Sequence, residues 1–582
     1  MTRLLLYLAL LPTLNPLSAT AGDWPMYGHD PARSGWASEE KGLTPESVSH
    51  LRLQWKAHMD NKSLNLAALT APVAVSFKGP DGVVRSRLYV VGASGTVFAL
   101  DAETGTVVWS KILHSMALPG KGGFQGTYLC PNAVTATPAI DRDTQTIYVI
   151  AADGSLIGLD LETGKSKFGP LPFVAPFTKS WSLNLVDGII YTTVSLGCGG
   201  GRAGIYAADI RDPKRPSIRQ LLLSNSYTAG IWGRGGAVIG GNHLLYGGTA
   251  DGDTAPEKGD YSNAVVAASI DDFTVKDYFL PRNWSYLKKM DLDVGSASPV
   301  WFTWKKRSLL AHGFKEGVVY LFDGDKIGGS NHETPLFASP RLGNDAGVCC
   351  NSPGIWGGLS VSQDDNGQTW LYIPMGGPPA VQAPSFPITN GDNPHGSIMA
   401  FKIVDDPAKG GPLMQPAWIS GDFQYPDPAV IAHGVLFALS NGENPDQHQE
   451  ESRRLMGSAP AVLKALDART GKELFNSHSV LESWVHFSAL AIADSRVFVV
   501  DHSSNVYCFG LDGGAVASAS AGPRVDKQPD ELANSWIGRA ERQNEFLTSW
   551  IKRISIAAGL VLVLTIAGIW AGVRDERKTE HS

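Results

Sequence analysis

Cysteine is scarce: Cys130, Cys198, Cys349, Cys350 and Cys508 are the only five in 582 residues. None stands in a C-x-x-C-H run, which excludes a covalently attached c-type haem, and none has zinc-ligand spacing. The odd count leaves one thiol over whatever the pairing. Charge of one sign is also lacking. The 49 Lys and Arg against 56 Asp and Glu leave a formal net charge of −7. No basic stripe runs along the chain, so a nucleic-acid partner is not expected. His312, His395, His433 and His486 form no two-His-plus-acid spacing.

Long apolar runs are missing except at the two ends. "MTRLLLYLALLPTLNPLSATAGDWP" carries Arg3, an apolar core too short for a bilayer, and a small-residue cleavage site at Ala19-Thr20-Ala21. This predicts a signal peptide over 1–21 and export of the rest. "ISIAAGLVLVLTIAGIWAGV", Ile554 to Val573, is free of charge and long enough for one membrane helix. It predicts a C-terminal transmembrane anchor over 554–573 in the inner or plasma membrane, with a cytoplasmic tail over 574–582. The stretch 515–553 opens as an Ala/Ser/Gly linker and turns polar and helix-prone, as a juxtamembrane segment would.

What is abundant lies between. Gly (64), Trp (16) and short β-branched runs favour an all-β fold. "VVGASGTVFALDAETGTVVWS", Val90 to Ser110, reads strand, turn, strand, turn, strand, and "VIAADGSLIGLDLETGKSKF", Val149 to Phe168, repeats it. Weaker copies end near Ile210, Asp272, Gly329, Asp406, Phe475 and Gly514. Each copy, with an inner strand before it, makes a four-stranded blade. Such units bury both faces only by packing around an axis, which predicts an eight-bladed β-propeller over 22–514; a solenoid has shorter, more even repeats. "LRLQWKAH" near Leu53 has no blade of its own, so it is expected to complete the last blade and close the ring. In the D-x-x-T-G turns, Asp and Thr bond the backbone and Gly takes a positive φ. The aromatics that follow (Trp109, Phe168, Phe475) are expected to pack between blades.

In a propeller, residues at the starts of the inner strands converge on the axis. Trp181, Trp232, Arg234, Asp291, Asp293, Trp356, Asp427, Trp484 and His486 all fall there. A ring of aromatic, acidic and cationic side chains suits a flat ligand with polar edges.

The repeat "ALDAETGTVVW" resembles the tryptophan-docking motif of the pyrroloquinoline quinone (PQQ) dehydrogenases, and "DWPMYGHDPARSGWA" is similar to the start of their mature domains. The resemblance covers most of Asp23 to Gly514. It implies PQQ and Ca2+ as cofactors, an alcohol or sugar as substrate, and electrons passed to an external acceptor. It implies that Trp232 lies under the quinone, Asp251 binds the metal, Asp293 (with Asp291 as fallback) is the catalytic base, and Lys315 contacts the quinone oxygens. Trp181, Trp356 and Trp484 are further candidate cofactor contacts. Two departures stand out. Where the family has a metal-binding glutamate, "IIYTTVSLGCGGGRAGIYAADI" has Cys198 or Gly199, which leaves the metal one acid short. The family's vicinal cysteine pair is matched by Cys349-Cys350, but before the sixth inner strand rather than in an early blade. These two bond each other, or one bridges to Cys130 or Cys198. Cofactor-free assembly propellers share the repeat, so a protein-binding scaffold of the envelope is the alternative function.

Overall fold

The computed structural model describes residues 22–113, 127, 129–347, 349, 354–444, 446, 451–486, 488, 490–511 and 517–518. The expected signal peptide, most of the linker, the expected transmembrane helix and the tail lie outside the described residues. Among the described residues, no helix is long and apolar enough to cross a membrane. The chain divides into two compact units, and the described residues all belong to the one that holds the repeats.

That unit is an eight-bladed propeller. Blade 1 is four antiparallel strands, Val73–Lys78, Val84–Val91, Thr96–Asp101 and Val107–Ile112. Blades 2 to 7 repeat this meander, with inner strands near residues 139, 184, 238, 300, 360 and 430. Blade 8 takes three strands from Ala491–Ala493, Arg496–Val500 and Asn505–Gly510, and its fourth from Arg52–His58. The ring thus closes as the sequence predicts. One small difference lies at the end: Ala517–Ser518 pairs with Trp55–Lys56, so the last sheet draws a short strand from the segment read as linker.

The D-x-x-T-G turns show why blades stack. In blade 1, Asp101 Oδ1 accepts from the Glu103 and Thr104 amides and from Thr104 Oγ1. Gly164 of blade 2 has φ +67°, and a Cβ there would sit 2.7 Å from the Trp109 ring of blade 1. The indole lies flat on the bare turn, and its Nε1–H donates to Leu161 O at 3.0 Å. Trp55 of blade 8 docks on Gly105 of blade 1 in the same way, with Nε1–H to Ala102 O at 3.2 Å. Phe168 packs edge-on against Tyr148 within its own blade, and Phe475 against Phe509 of the next.

The segment before the first blade is a strap. It meets the eight blades in turn: Trp24 pairs with Ala74, Pro25 O accepts from Ile140, Pro31 O from Asn184 and Ile239, and Ala32 O from Trp301. Ser34 O then accepts from Val361, Gly35 O from Ile431, and Glu40 from Ser495. Arg33 is buried at its centre and donates to Gly235 O, Tyr27 O and Leu183 O. Arg33→Ala would strand those three carbonyls. It is expected to cost about 2–5 kcal/mol, read as a fall in the urea midpoint with the slope unchanged.

Candidate functional site

Above the strap the axial channel opens into a cavity of about 510 Å³. Its lining comes from segments just ahead of the inner strands: Trp181 from blade 3, Trp232 and Arg234 from blade 4, Asp291 and Ser296 from blade 5, Trp356 from blade 6 and His486 from blade 8. Of the predicted cofactor contacts, Trp181, Trp232, Trp356 and Lys315 line it. Trp484 does not line it. Its ring stacks on His502 at 4.1 Å, behind His486. Asp427 is also buried outside the lining, where it accepts from Asn441.

One end is acidic. The short helix Trp284–Lys289 stops at Met290, and Asp291 turns the chain with φ +54°. This places Asp291 and Asp293 two residues apart on a tight bend. Asp251, also at positive φ (+58°), comes off the second strand of blade 4. Carboxylate oxygens of Asp251, Asp291 and Asp293 all lie within 4.8 Å of one another. Lys315 is threaded among them. Its Nζ is ion-paired to Asp293, lies 3.5 Å from Asp291 Oδ1, and sits 4.5 Å from the Trp356 ring centroid and 5.6 Å from that of Trp232. Gly354 (φ +105°) is what lets the chain pass here, since a Cβ would fall 2.1 Å from Lys315 O.

Three carboxylates meet here, where the sequence led to the expectation of a metal site one acid short. Cys198, at the place of the family's glutamate, is in a disulfide with Cys130, and Asp291 brings the third carboxylate from blade 5 instead. Hard cations take oxygen donors. Three carboxylates meeting at one point fit such an ion. The two acids of blade 5 differ in access. The Asp291 side chain is 46% exposed and faces the cavity, whereas Asp293 is 3% exposed beneath Lys315. The sequence favours Asp293 as the base; the geometry gives access to Asp291.

Charge crowding is visible in the acids. Burial pushes Asp293 well above the usual carboxylate range, against the pull of Lys315, and Asp291 and Asp251 push it further. Burial works against the Lys315 ammonium, but Asp293 and Asp291 outweigh it and hold its proton. Burial and then Asp291 push Asp251 up to about 6 from 3.8, despite Lys315 and Lys288. A carboxyl raised in this way destabilises the cation-free fold progressively as pH climbs from its unfolded to its folded value, and the loss persists above. A bound cation relieves it. Ca2+ is expected to raise Tm more near pH 7 than near about pH 4.5, and less so in Asp251→Asn, as scanning calorimetry would record.

The other end is basic and was only partly legible. Lys179, Arg234, Arg454 and His486 line it. Glu443, fully buried, pairs with Arg454 and accepts from His486 Nδ1 at 2.7 Å. Arg454 lies on the helix Glu451–Met456 within blade 7, and Lys179 on a two-residue strand of blade 3. Lys179, Arg454 and Glu443 lie outside the repeat, so no sequence pattern marks them. Leu66, Leu129 and Leu196 supply apolar lining.

The cysteines divide differently from one of the expectations. Cys130 and Cys198 bond each other, which removes the bridges from either to the 349–350 pair, and Cys508 is free and buried. Cys349 is disulfide-bonded, with Sγ 2.6 Å from Asp291 Oδ2. Cys350, its expected partner, lies outside the described residues.

Residues 24–174 match the family model described as "Glucose/ethanol/alcohol dehydrogenase, beta-propeller domain". The chain is 23% identical over 543 residues to a 1-butanol dehydrogenase (cytochrome c) from Thauera butanivorans, covering 82% of this chain and 73% of that one. It is 23% identical over 346 residues to a quinohemoprotein alcohol dehydrogenase from Comamonas testosteroni, covering 53% of this chain and 45% of the relative. The crystal structure of the quinohemoprotein alcohol dehydrogenase from Comamonas testosteroni superposes with a TM-score of 0.52 at 16% identity, covering 87% of this chain and 83% of that one, a likeness of fold. In its repeat, its ring of eight blades and these matches, the chain is similar to the PQQ-dependent dehydrogenases, and residues 24–174 carry their β-propeller repeat.

Proposed function

We propose that the protein is a PQQ-dependent oxidoreductase that oxidises an alcohol or sugar hydroxyl outside the cytoplasm. The observation that carries this reading is the meeting of Asp251, Asp291, Asp293 and Lys315 between Trp232 and Trp356 in one axial cavity. A protein-binding scaffold has no use for three crowded carboxylates around a buried lysine, whose assembly costs stability. The Cys130–Cys198 disulfide and the bonded Cys349 suit an oxidising compartment. Anchoring through 554–573 rests on the uncharged run alone.

PQQ, when bound, supplies the two-electron acceptor for the hydrogen on the hydroxyl carbon, and Ca2+ supplies Lewis acidity beside it. The chain's own residues do the rest. Asp251 and Asp293, with Asp291, form the oxygen donor set for the cation. Asp291, open to the cavity, accepts the hydroxyl proton of the substrate. Lys315 is fixed by Asp293 and two indole faces, so its charge is preorganised and does not have to reorient during reaction. Leu66, Leu129 and Leu196 exclude water and receive the substrate's carbon skeleton. With no C-x-x-C-H in the chain, the electrons leave to a separate acceptor. A c-type cytochrome is the acceptor named for the Thauera relative.

The reading is tested by reconstituting the purified chain with PQQ and Ca2+ and following dye reduction with primary alcohols and aldoses. Turnover that needs all three components is expected. Absence of turnover with every substrate at saturating PQQ and cation would count against it.

A further inference from the structure

Lys179 differs from the other basic groups of the cavity. It lies on the two-residue strand Lys179–Ser180, pairs with Ser195 across the sheet, and is half-buried in the cavity wall. The other cations there have acids acting on them. Arg454 is paired to Glu443, and Glu443 and Asp427 favour the Arg234 charge. Lys179 forms no ion pair among the described residues, and the charges that bear on it, Arg234 and Arg454, are both positive. His486, also close, is held neutral: burial and then these same cations push it well below the usual imidazole range. The Trp181 ring attracts the ammonium but shares it with Arg234, each cation being 5.3 Å from the ring centroid. Of two crowded cations, an arginine keeps its charge and a lysine gives up its proton. Burial, with Arg234 and Arg454 beside it, pushes Lys179 down to about 7. At neutral pH a free amine therefore faces the hollow in a large share of molecules. Its strand partner Ser195 leads into Leu196, which packs with Leu129 as an apolar wall.

We propose that Lys179 is a carbonyl-capture site: its amine condenses with an aldehyde that enters the cavity and holds it as an imine. A lysine crowded by other cations in an apolar pocket is nucleophilic for this reason. The step balances without an oxidant. The Nζ lone pair forms a C–N bond to the aldehyde carbon, the C=O bond gives way to C=N, and the oxygen leaves as water with the two amine protons. Trp181, with Nε1–H held by Ser195 Oγ at 2.8 Å, limits where the amine points. The lining sets the ligand class as an aliphatic aldehyde, whose chain lies along Leu66, Leu129 and Leu196. An aldehyde released by oxidation of a primary alcohol is of this class, so the site holds back product. The capture itself needs no PQQ and goes beyond the function proposed above.

The test treats the purified full chain with hexanal and cyanoborohydride, which reduces an imine to a stable secondary amine, and reads each lysine by peptide mass spectrometry. At pH 7 Lys179 is expected to take the hexyl group about 10- to 100-fold faster than the exposed Lys214 and Lys258. That ratio is expected to shrink as pH rises from about 7, where Lys179 titrates, toward the ordinary lysine value of about 10.4. Glu443→Gln/Arg454→Met removes one of the two crowding cations together with its partner, so the ratio at pH 7 should fall by about 3- to 10-fold. Where this variant fails to fold, the pH series of the parent decides alone. A Lys179 that reacts no faster than the exposed lysines, or a ratio flat across pH or unmoved in the folded variant, overturns the site. Label on Lys179 without PQQ-dependent turnover leaves the site standing and retires the oxidoreductase reading; turnover without such label does the reverse.

Discussion

Asp291→Asn is expected to lower the PQQ- and alcohol-dependent rate by about 10²–10⁴-fold with the propeller intact. The size follows from the role. Asp291 is the carboxylate that reaches the hollow, so the amide removes the proton acceptor without removing the hollow. The side chain is 46% exposed, so its loss costs little packing. Asp291 is also one of the three carboxylates facing the cation, so Ca2+ should bind more weakly; at saturating Ca2+ the effect should fall on kcat, with KM for the alcohol nearly unchanged. Asp293→Asn should behave differently. It strips Lys315 of its buried partner, so it should weaken PQQ and shift the pH profile as well as slow turnover. A variant pair in which Asp293→Asn loses rate alone and Asp291→Asn stays active would exchange the two roles.

The second large effect concerns stability. The Cys130–Cys198 bridge closes a loop with a sequence separation of 68 residues. By loop entropy its removal in Cys130→Ala/Cys198→Ala is worth about 4 kcal/mol, read from the urea midpoint. The bridge also packs with Leu196 against Leu129 and Trp232. Its loss should therefore loosen one wall of the cavity and weaken PQQ binding together with stability. A double variant with the parent's midpoint and affinity would show the bridge to be idle.

Much of this was legible in the chain. Repeats announce a ring because each blade carries its own docking parts: the turn Asp, the bare Gly and the indole that lies on it. Closure by Arg52–His58 was legible because that strand had no local partners. Trp232 was legible at an inner-strand start, and Asp251 and Lys315 through the resemblance to the PQQ dehydrogenases. The rest was hidden for physical reasons. That Asp291 clusters with Asp251 and Asp293 depends on a bend at positive φ after a short helix, which no repeat reports. Cysteine pairing cannot be read from spacing alone. Lys179, Arg454 and Glu443 meet across three non-consecutive segments with no shared pattern. The strap over eight blades is hidden too, since backbone carbonyls leave no trace in residue type.

Equilibrium dialysis of the purified chain against PQQ, with and without Ca2+, tests the central claim most directly. One equivalent of PQQ per chain, held more tightly with the cation than without, is the predicted result. A folded chain that takes up no PQQ at saturating Ca2+ would contradict it.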